Sequence, residues 1–137
     1  MADLKHSETT GEIIKAFYKV YNSLGYGFLE KVYENALVIE LGELGLVVDQ
    51  QRPILVSYRE QVVGEYFADI VVDNCVIIEL KSARSLSREH EAQLVNYLRA
   101  TNFEVGLLLN FGQSAEYKRK IFENDNRSTL AALLDPR

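Results

Sequence analysis

The sequence predicts a mixed α/β (α+β) fold, a central mixed β-sheet flanked by helices in the order α-α-β-β-β-α-β. Three observations predict it. Two stretches with apolar residues at three- and four-residue steps open the chain. Segments of period two follow. Helical spacing then returns, just before a nearly continuous apolar run.

Residues 7–24 read as the first helix. Ile13, Ile14, Phe17, Tyr18, Tyr21 and Leu24 form its apolar stripe, Ser7, Thr9 and Thr10 offer N-caps, and Gly25 is placed to stop it. Tyr26-Gly27 is a turn. Residues 28–44 read as a second helix with a stripe of Leu29, Val32, Tyr33, Ala36, Leu37 and Leu41, ended by Gly45. The period then changes. Residues 46–50 read as a strand, Pro53 marks an edge or an interruption, and residues 54–58 continue it. After a turn at Arg59-Glu60-Gln61, residues 62–72 and 75–81 form two more strands around Asp73-Asn74. Residues 86–100 are helical. Residues 103–111, with Val105, Leu107, Leu108 and Leu109, form a buried strand. Residues 117–122 read as one more short strand. The expected division is a single domain over 1–122 and a partly flexible tail over 123–137, with a possible helical turn at 130–134.

At 137 residues the chain suits one domain, which buries roughly two-thirds of its unfolded surface. The single cysteine, Cys75, excludes an internal disulfide, and with only His6 and His90 a zinc site has too few ligands. The first residues are polar and no segment approaches the roughly 20 apolar residues that span a bilayer, so a reducing cytoplasmic setting without membrane is expected. The net charge of −5 counts against a broad duplex binder, which draws its affinity from many Lys and Arg contacts to phosphate.

Three ionisable groups stand out on apolar strands. Asp69 lies in Phe67-Ala68-Asp69-Ile70-Val71-Val72, and Glu79 and Lys81 lie in Val76-Ile77-Ile78-Glu79-Leu80-Lys81. Charges in strands built for burial need a compensating partner. Glu79 and Lys81 are two apart and share a sheet face. A two-residue Asp73-Asn74 turn would set Asp69 opposite Ile78. A three-residue loop or one bulge sets it opposite Glu79, and that is the expected register. Two carboxylates about 4 Å apart repel by roughly 4 kcal/mol at an effective dielectric of 20. Either one protonates or a hard cation such as Mg²⁺ or Mn²⁺ sits between them. The competing reading is a plain Glu79–Lys81 or Asp69–Lys81 ion pair at a sheet edge.

The string Ala68-Asp69, nine residues, then Glu79-Leu80-Lys81 resembles the PD-(D/E)XK nuclease motif, with Ala68 in place of the proline. Gly27-Phe28-Leu29-Glu30-Lys31-Val32-Tyr33 resembles the signature of the GxxExxY protein family, a branch of that superfamily. The likeness continues through Tyr66-Phe67-Ala68-Asp69, His90 to Leu98 and Gly106 to Gly112, over roughly residues 11–112. The chain departs from the family at Tyr21, where a histidine is frequent, and at Tyr26, where a proline is.

The resemblance implies a restriction-endonuclease-like core and a metal-dependent nuclease hydrolysing phosphodiester bonds in DNA or RNA. Asp69, Glu79 and the Leu80 carbonyl would hold Mg²⁺ or Mn²⁺, and Lys81 would stabilise the attacking hydroxide and the growing charge on phosphate. Glu30 matches an acid that many members carry on the helix before the sheet, though it also suits a solvated helix start. Gln93 matches a glutamine that often approaches the site. Arg84 and Arg88 are candidate phosphate contacts, as is Arg99, which also suits a solvated helix position. His90 and Tyr97 are candidate substrate contacts, against the plainer readings of a helix-start histidine and a core aromatic. Lys118-Arg119-Lys120 suits either a nucleic acid backbone or an edge strand kept soluble. The alternative function is a catalytically silent nucleic-acid-binding or protein-interaction module on the same fold, and a purely structural domain ranks behind both. A homodimer would be needed to cut both strands of a duplex at once.

Overall fold

The computed structural model describes residues 5–123. Its elements are α1 (Ser7–Leu24), α2 (Glu30–Glu43), β1 (Val48–Tyr58), β2 (Gln61–Val72), β3 (Val76–Lys81), α3 (Arg88–Arg99), β4 (Val105–Phe111) and β5 (Ala115–Ile121). The expected tail, apart from its first residue, and the helical turn at 130–134 lie outside the described residues. No helix among the described residues is long and apolar enough to cross a membrane.

The five strands form one mixed sheet in the order β1-β2-β3-β4-β5. Only β3 and β4 pair in parallel, joined by the crossover through α3. β3 is central and buried along almost its whole length, as its continuous apolar run requires. One sheet face, with Ile70, Ile78, Leu80 and Leu107, packs on Ile13, Phe17, Tyr33 and Leu37 of α1 and α2. The other, with Ala68, Val71, Ile77 and Leu108, packs on Leu94, Tyr97 and Leu98 of α3. The expected architecture is thus observed, with β5 longer than the strand expected at 117–122.

Several local expectations are corrected. None of Ser7, Thr9 and Thr10 caps α1. His6, in a left-handed conformation, precedes the helix without a side-chain cap, and Thr10 Oγ1 bonds back to the Ser7 carbonyl. Gly25, with φ +70°, does end α1 and donates to the Tyr21 carbonyl at 2.8 Å. In α2 the buried positions are Tyr33, Glu34, Leu37 and Leu41, whereas Leu29 and Val32 are exposed. Tyr33 sets that phase. Its ring stacks on Phe111 with centroids 4.3 Å apart, and its hydroxyl donates to the Gly25 carbonyl and accepts the Phe28 N–H. With Tyr33 so fixed, the next residue, Glu34, also turns inward. Pro53 does not interrupt β1, because β1 is an edge strand.

The β2–β3 register bears on the site. Val72 pairs with Val76 and Ile70 with Ile78, so the loop has three residues, Asp73, Asn74 and Cys75. Asp73 and Asn74 take positive φ, and the Asp73 carboxylate accepts the Val47 N–H. Pairing stops at Ile70 and Ile78. Beyond them β2 stays with β1 and β3 stays with β4, so the sheet forks.

The loop after β3 is tied down by β4 and β5. Asn110, fully buried, accepts the Ala83 N–H and donates to the Ala83 carbonyl, both at 2.9 Å. Glu116 accepts the Leu86 N–H. A Cβ on Gly112 would lie 2.3 Å from the Ala83 carbonyl oxygen, a clash between two backbones that no rotamer relieves. Gly112→Ala is therefore expected to destabilise the fold by about 1–3 kcal/mol. A urea midpoint unchanged from wild type would refute that close approach.

Candidate functional site

The fork brings Asp69 and Glu79 together at the point where two strands lose each other's hydrogen bonds. Side chains replace the missing ladder. Asp69 N–H donates to Glu79 Oε2 at 2.8 Å, and Leu80 N–H donates to Asp69 Oδ2 at 2.8 Å. Each carboxylate is thereby clamped by the opposite strand, with one oxygen engaged. The second oxygen of Glu79 has no donor among the described residues.

The electrostatics are strained. Burial first, then the Asp69 charge, pushes the Glu79 carboxyl up to about 8. Asp69 is also raised, by burial ahead of the nearby Glu34 and Glu30 charges, although the Leu80 N–H pulls the other way. Lys81, two residues along β3, favours the Glu79 anion only weakly. Among the described residues neither carboxylate forms an ion pair with Lys81, so the plain ion-pair reading is not what the fold contains.

A third carboxylate was missed in the sequence. Glu34, only 4% exposed, accepts from Lys31 Nζ at 3.0 Å, Gln50 Nε2 at 2.8 Å and Gln51 Nε2 at 3.1 Å. Gln51 Nε2 also lies 3.4 Å from Asp69 Oδ1, so one amide bridges the two acids. To do so, Gln51 stands at φ +53° between the regular pairs Gln50–Ile70 and Arg52–Ala68. A non-glycine residue in that region costs about 1–2 kcal/mol, which the surrounding bonds must hold in place. The signal for Glu34 was present, since Leu37 and Leu41 follow it at three and seven residues.

The other candidates divide. Glu30 opens α2 and its Oε2 accepts the Ser82 N–H at 3.3 Å, one residue beyond Lys81. Tyr97 stands on the α3 side. Burial first, then Glu79 and Asp69, pushes its hydroxyl up to about 12. Gln93 lies one turn earlier on α3 and lines a cleft with Tyr97 rather than bonding to the carboxylates. Leu80 enters through its N–H. His90 closes a capping box. Its Nδ1 accepts the Ser87 N–H and its own N–H donates to Ser87 Oγ, both at 3.1 Å, so that ring nitrogen is committed to the start of α3. Arg88 is the first residue of α3 and is exposed. Arg84 lines a second cleft with Tyr26, Phe28 and Ser82. Arg99 lies over the Phe122 ring. Two residues of the basic run serve packing, since Lys120 pairs with Glu91 and Arg119 donates to the Lys5 carbonyl.

The donor set suits a hard divalent cation in an open site. Two carboxylates held side by side, both raised first by burial and then by neighbouring acidic charge, with one oxygen of Glu79 unengaged and one of Asp69 held only by the longer Gln51 contact, are what such an ion relieves. Among the described residues no three of His, Cys, Asp and Glu group closely enough to cage a metal. Mg²⁺ does not require a cage, because it keeps several waters and binds through one or two carboxylates.

A family model described as the PD-(D/E)XK nuclease superfamily matches residues 7–121. The crystal structure of SSO0001 is similar, with a TM-score of 0.54 at 15% identity over 95% of this chain and 68% of that one. An alkaline exonuclease from Laribacter hongkongensis, LHK-Exo, gives a TM-score of 0.51 at 11% identity over 98% of this chain and 83% of that one. At such identities the likeness is one of fold. No curated protein matches the chain.

Proposed function

The chain belongs to the PD-(D/E)XK nuclease superfamily, and from that premise we propose that it is a divalent-metal-dependent phosphodiesterase acting on DNA or RNA. The observation that carries the reading is the pair of clamped carboxylates at the fork, Asp69 and Glu79, with Lys81 beside them and in no ion pair with either. Asp69, Glu79 and the Leu80 carbonyl would hold Mg²⁺ or Mn²⁺. When bound, that ion supplies Lewis acidity and a nucleophile usable at neutral pH.

The chain's own groups supply the rest. Lys81 orients the nucleophile and offsets the charge that grows on the phosphate. Gln51 and Glu34 fix Asp69 from the α2 side. Glu30 holds the Ser82 N–H and so aims the end of β3, where Lys81 sits. Tyr97 keeps its proton at any usable pH and is a hydrogen-bond donor on the α3 side. Gln93, Arg84 and Arg88 remain candidate substrate contacts around this centre. Cutting both strands of a duplex would need two copies.

Membership of the GxxExxY branch is supported by a distinct task for each signature residue. Gly27 has φ +113°, which a side chain would strain, Glu30 reaches Ser82, and Tyr33 ties the α1–α2 turn. The second reading, a silent module on the same fold, draws on the net charge of −5.

Calorimetric titration of Mn²⁺ into wild type, Asp69→Ala and Asp69→Asn separates the two. Wild type is expected to bind, and both variants to bind at least about tenfold more weakly, as loss of a ligand implies. Binding that survives in both variants would move the metal elsewhere. Absence of binding in wild type, with and without a phosphodiester oligonucleotide, would leave the module.

A further inference from the structure

Beyond the fork, β1 and β2 continue as a two-stranded arm with no third strand beside it among the described residues. Helix α3 packs on β4 and β5, and a cleft of ≈ 770 Å³ opens between it and the arm. Leu55, Val56 and Tyr66 line one wall, and Gln93, Asn96 and Tyr97 line the other. Tyr66 is 47% exposed, and its ring centroid lies 5.7 Å from that of Tyr97 at a 43° tilt. The cleft is of ordinary size for a small organic group.

Its chemistry is selective. Gln93, Asn96 and Tyr97 lie three and four residues apart on one helix face, which sets two side-chain amides next to two aromatic rings. The charged lining residues are Glu89 and Arg99, one of each sign. A duplex reader needs a row of cations along the phosphates, and this wall has a single one. A half-exposed ring flanked by amides suits an unpaired base, which stacks by its face and is read along its edge. Tyr97 joins the cleft to the carboxylate pair, because it packs in one cluster with Ala68, the neighbour of Asp69, and with Ile77 of β3.

We propose that this cleft is a subsite for single-stranded nucleic acid, with an unpaired base stacked on Tyr66 and its edge met by Gln93 and Asn96. The inference deepens the nuclease reading and rests on it for the choice of ligand. It explains how an acidic protein would engage a polyanion, through bases more than through phosphates.

Fluorescence anisotropy in EDTA at low salt tests it without any divalent ion. The probes are a fluorescein-labelled ten-nucleotide deoxythymidine strand, the ribouridine equivalent, and a ten-base-pair DNA duplex. At least one single strand is expected to bind about tenfold or more tightly than the duplex, and the better of the two names the sugar preferred. Tyr66→Ala is expected to weaken that binding about 5- to 100-fold, the range for loss of one stacked base, while Tyr66→Phe stays within about twofold. The assay contains no divalent ion, so a failed metal site shows in the calorimetric titration and a failed subsite shows here. Equal or tighter binding of the duplex, no binding of either single strand, or a Tyr66→Ala protein within about twofold of wild type would overturn the proposal.

Discussion

Stripped of divalent ions, the protein is expected to lose stability steadily as pH rises from about 5 to about 8. Most soluble domains change little there. The cause is Glu79, whose carboxyl is pushed up to about 8 in the fold against an ordinary 4.5. Below 4.5 both folded and unfolded chains carry the proton. Between 4.5 and about 8 the unfolded carboxylate ionises while the folded one stays neutral, so the unfolded state binds fewer protons. Each pH unit then removes about 1.4 kcal/mol, and above 8 the loss levels off at roughly 5 kcal/mol. Asp69, shifted the same way by burial and the Glu34 charge, adds to it. Urea denaturation in EDTA at half-unit intervals measures the slope, and Glu79→Gln isolates it, since that variant should follow a flatter curve and overtake wild type near pH 8. Adding Mg²⁺ should reverse the trend, with little stabilisation at pH 5 and the most at pH 8. Parallel curves for wild type and Glu79→Gln would show that Glu79 ionises normally in the fold.

Removal of the Lys81 ammonium is expected to separate binding from chemistry. Lys81→Met should lower the hydrolytic rate about 10²- to 10³-fold, the usual cost of losing one group that stabilises transition-state charge. Divalent affinity should stay within about threefold or tighten, because a positive charge near the carboxylates has gone. Lys81→Arg should not restore the rate, since a planar guanidinium does not replace a compact ammonium. The stability cost should be small, because Lys81 forms no ion pair among the described residues. Single-turnover cleavage at saturating Mn²⁺ reads the first effect and calorimetry the second. A fall in metal affinity matching the fall in rate would make Lys81 a structural support of the site instead.

What could be read from the sequence followed periodicity. The helices, the order of elements along the chain and the apolar character of β3 depend on local spacing, which the chain displays directly. The register of Asp69 against Glu79 was legible too, because either a three-residue loop or one bulge resolves the clash of faces, and Val72 pairs with Val76 through the three-residue loop. Glu34 was overlooked because the stripe of α2 fits two phases one residue apart. The choice is made at a distance, by the stacking of Tyr33 on Phe111, 78 positions along the chain. Gln51 left no trace for the same reason. Its role rests on a left-handed backbone and on partners in α2 and β2. His90 suggested chemistry by type, but the plainer reading of a helix-start histidine is what the fold contains, since the Ser87 hydroxyl three residues earlier claims it for a cap. Residue type alone cannot tell a proton carrier from a helix start.

The two connections flanking β2 differ in how much change they can absorb. At Arg59-Glu60 the chain turns at the free end of the arm, both residues already have positive φ, and an irregularity at Val56/Ser57 lies close by. Insertions there only lengthen a projection into solvent. The three residues 73–75 have no such freedom. Loss or gain of one would exchange the two sides of β2, turning Ile70 and Val72 away from α1 and α2 and parting Asp69 from Glu79. Related chains could therefore drift in length at the tip of the arm, while the short loop at its base acts as a spacer of fixed length on which both the core and the carboxylate pair depend.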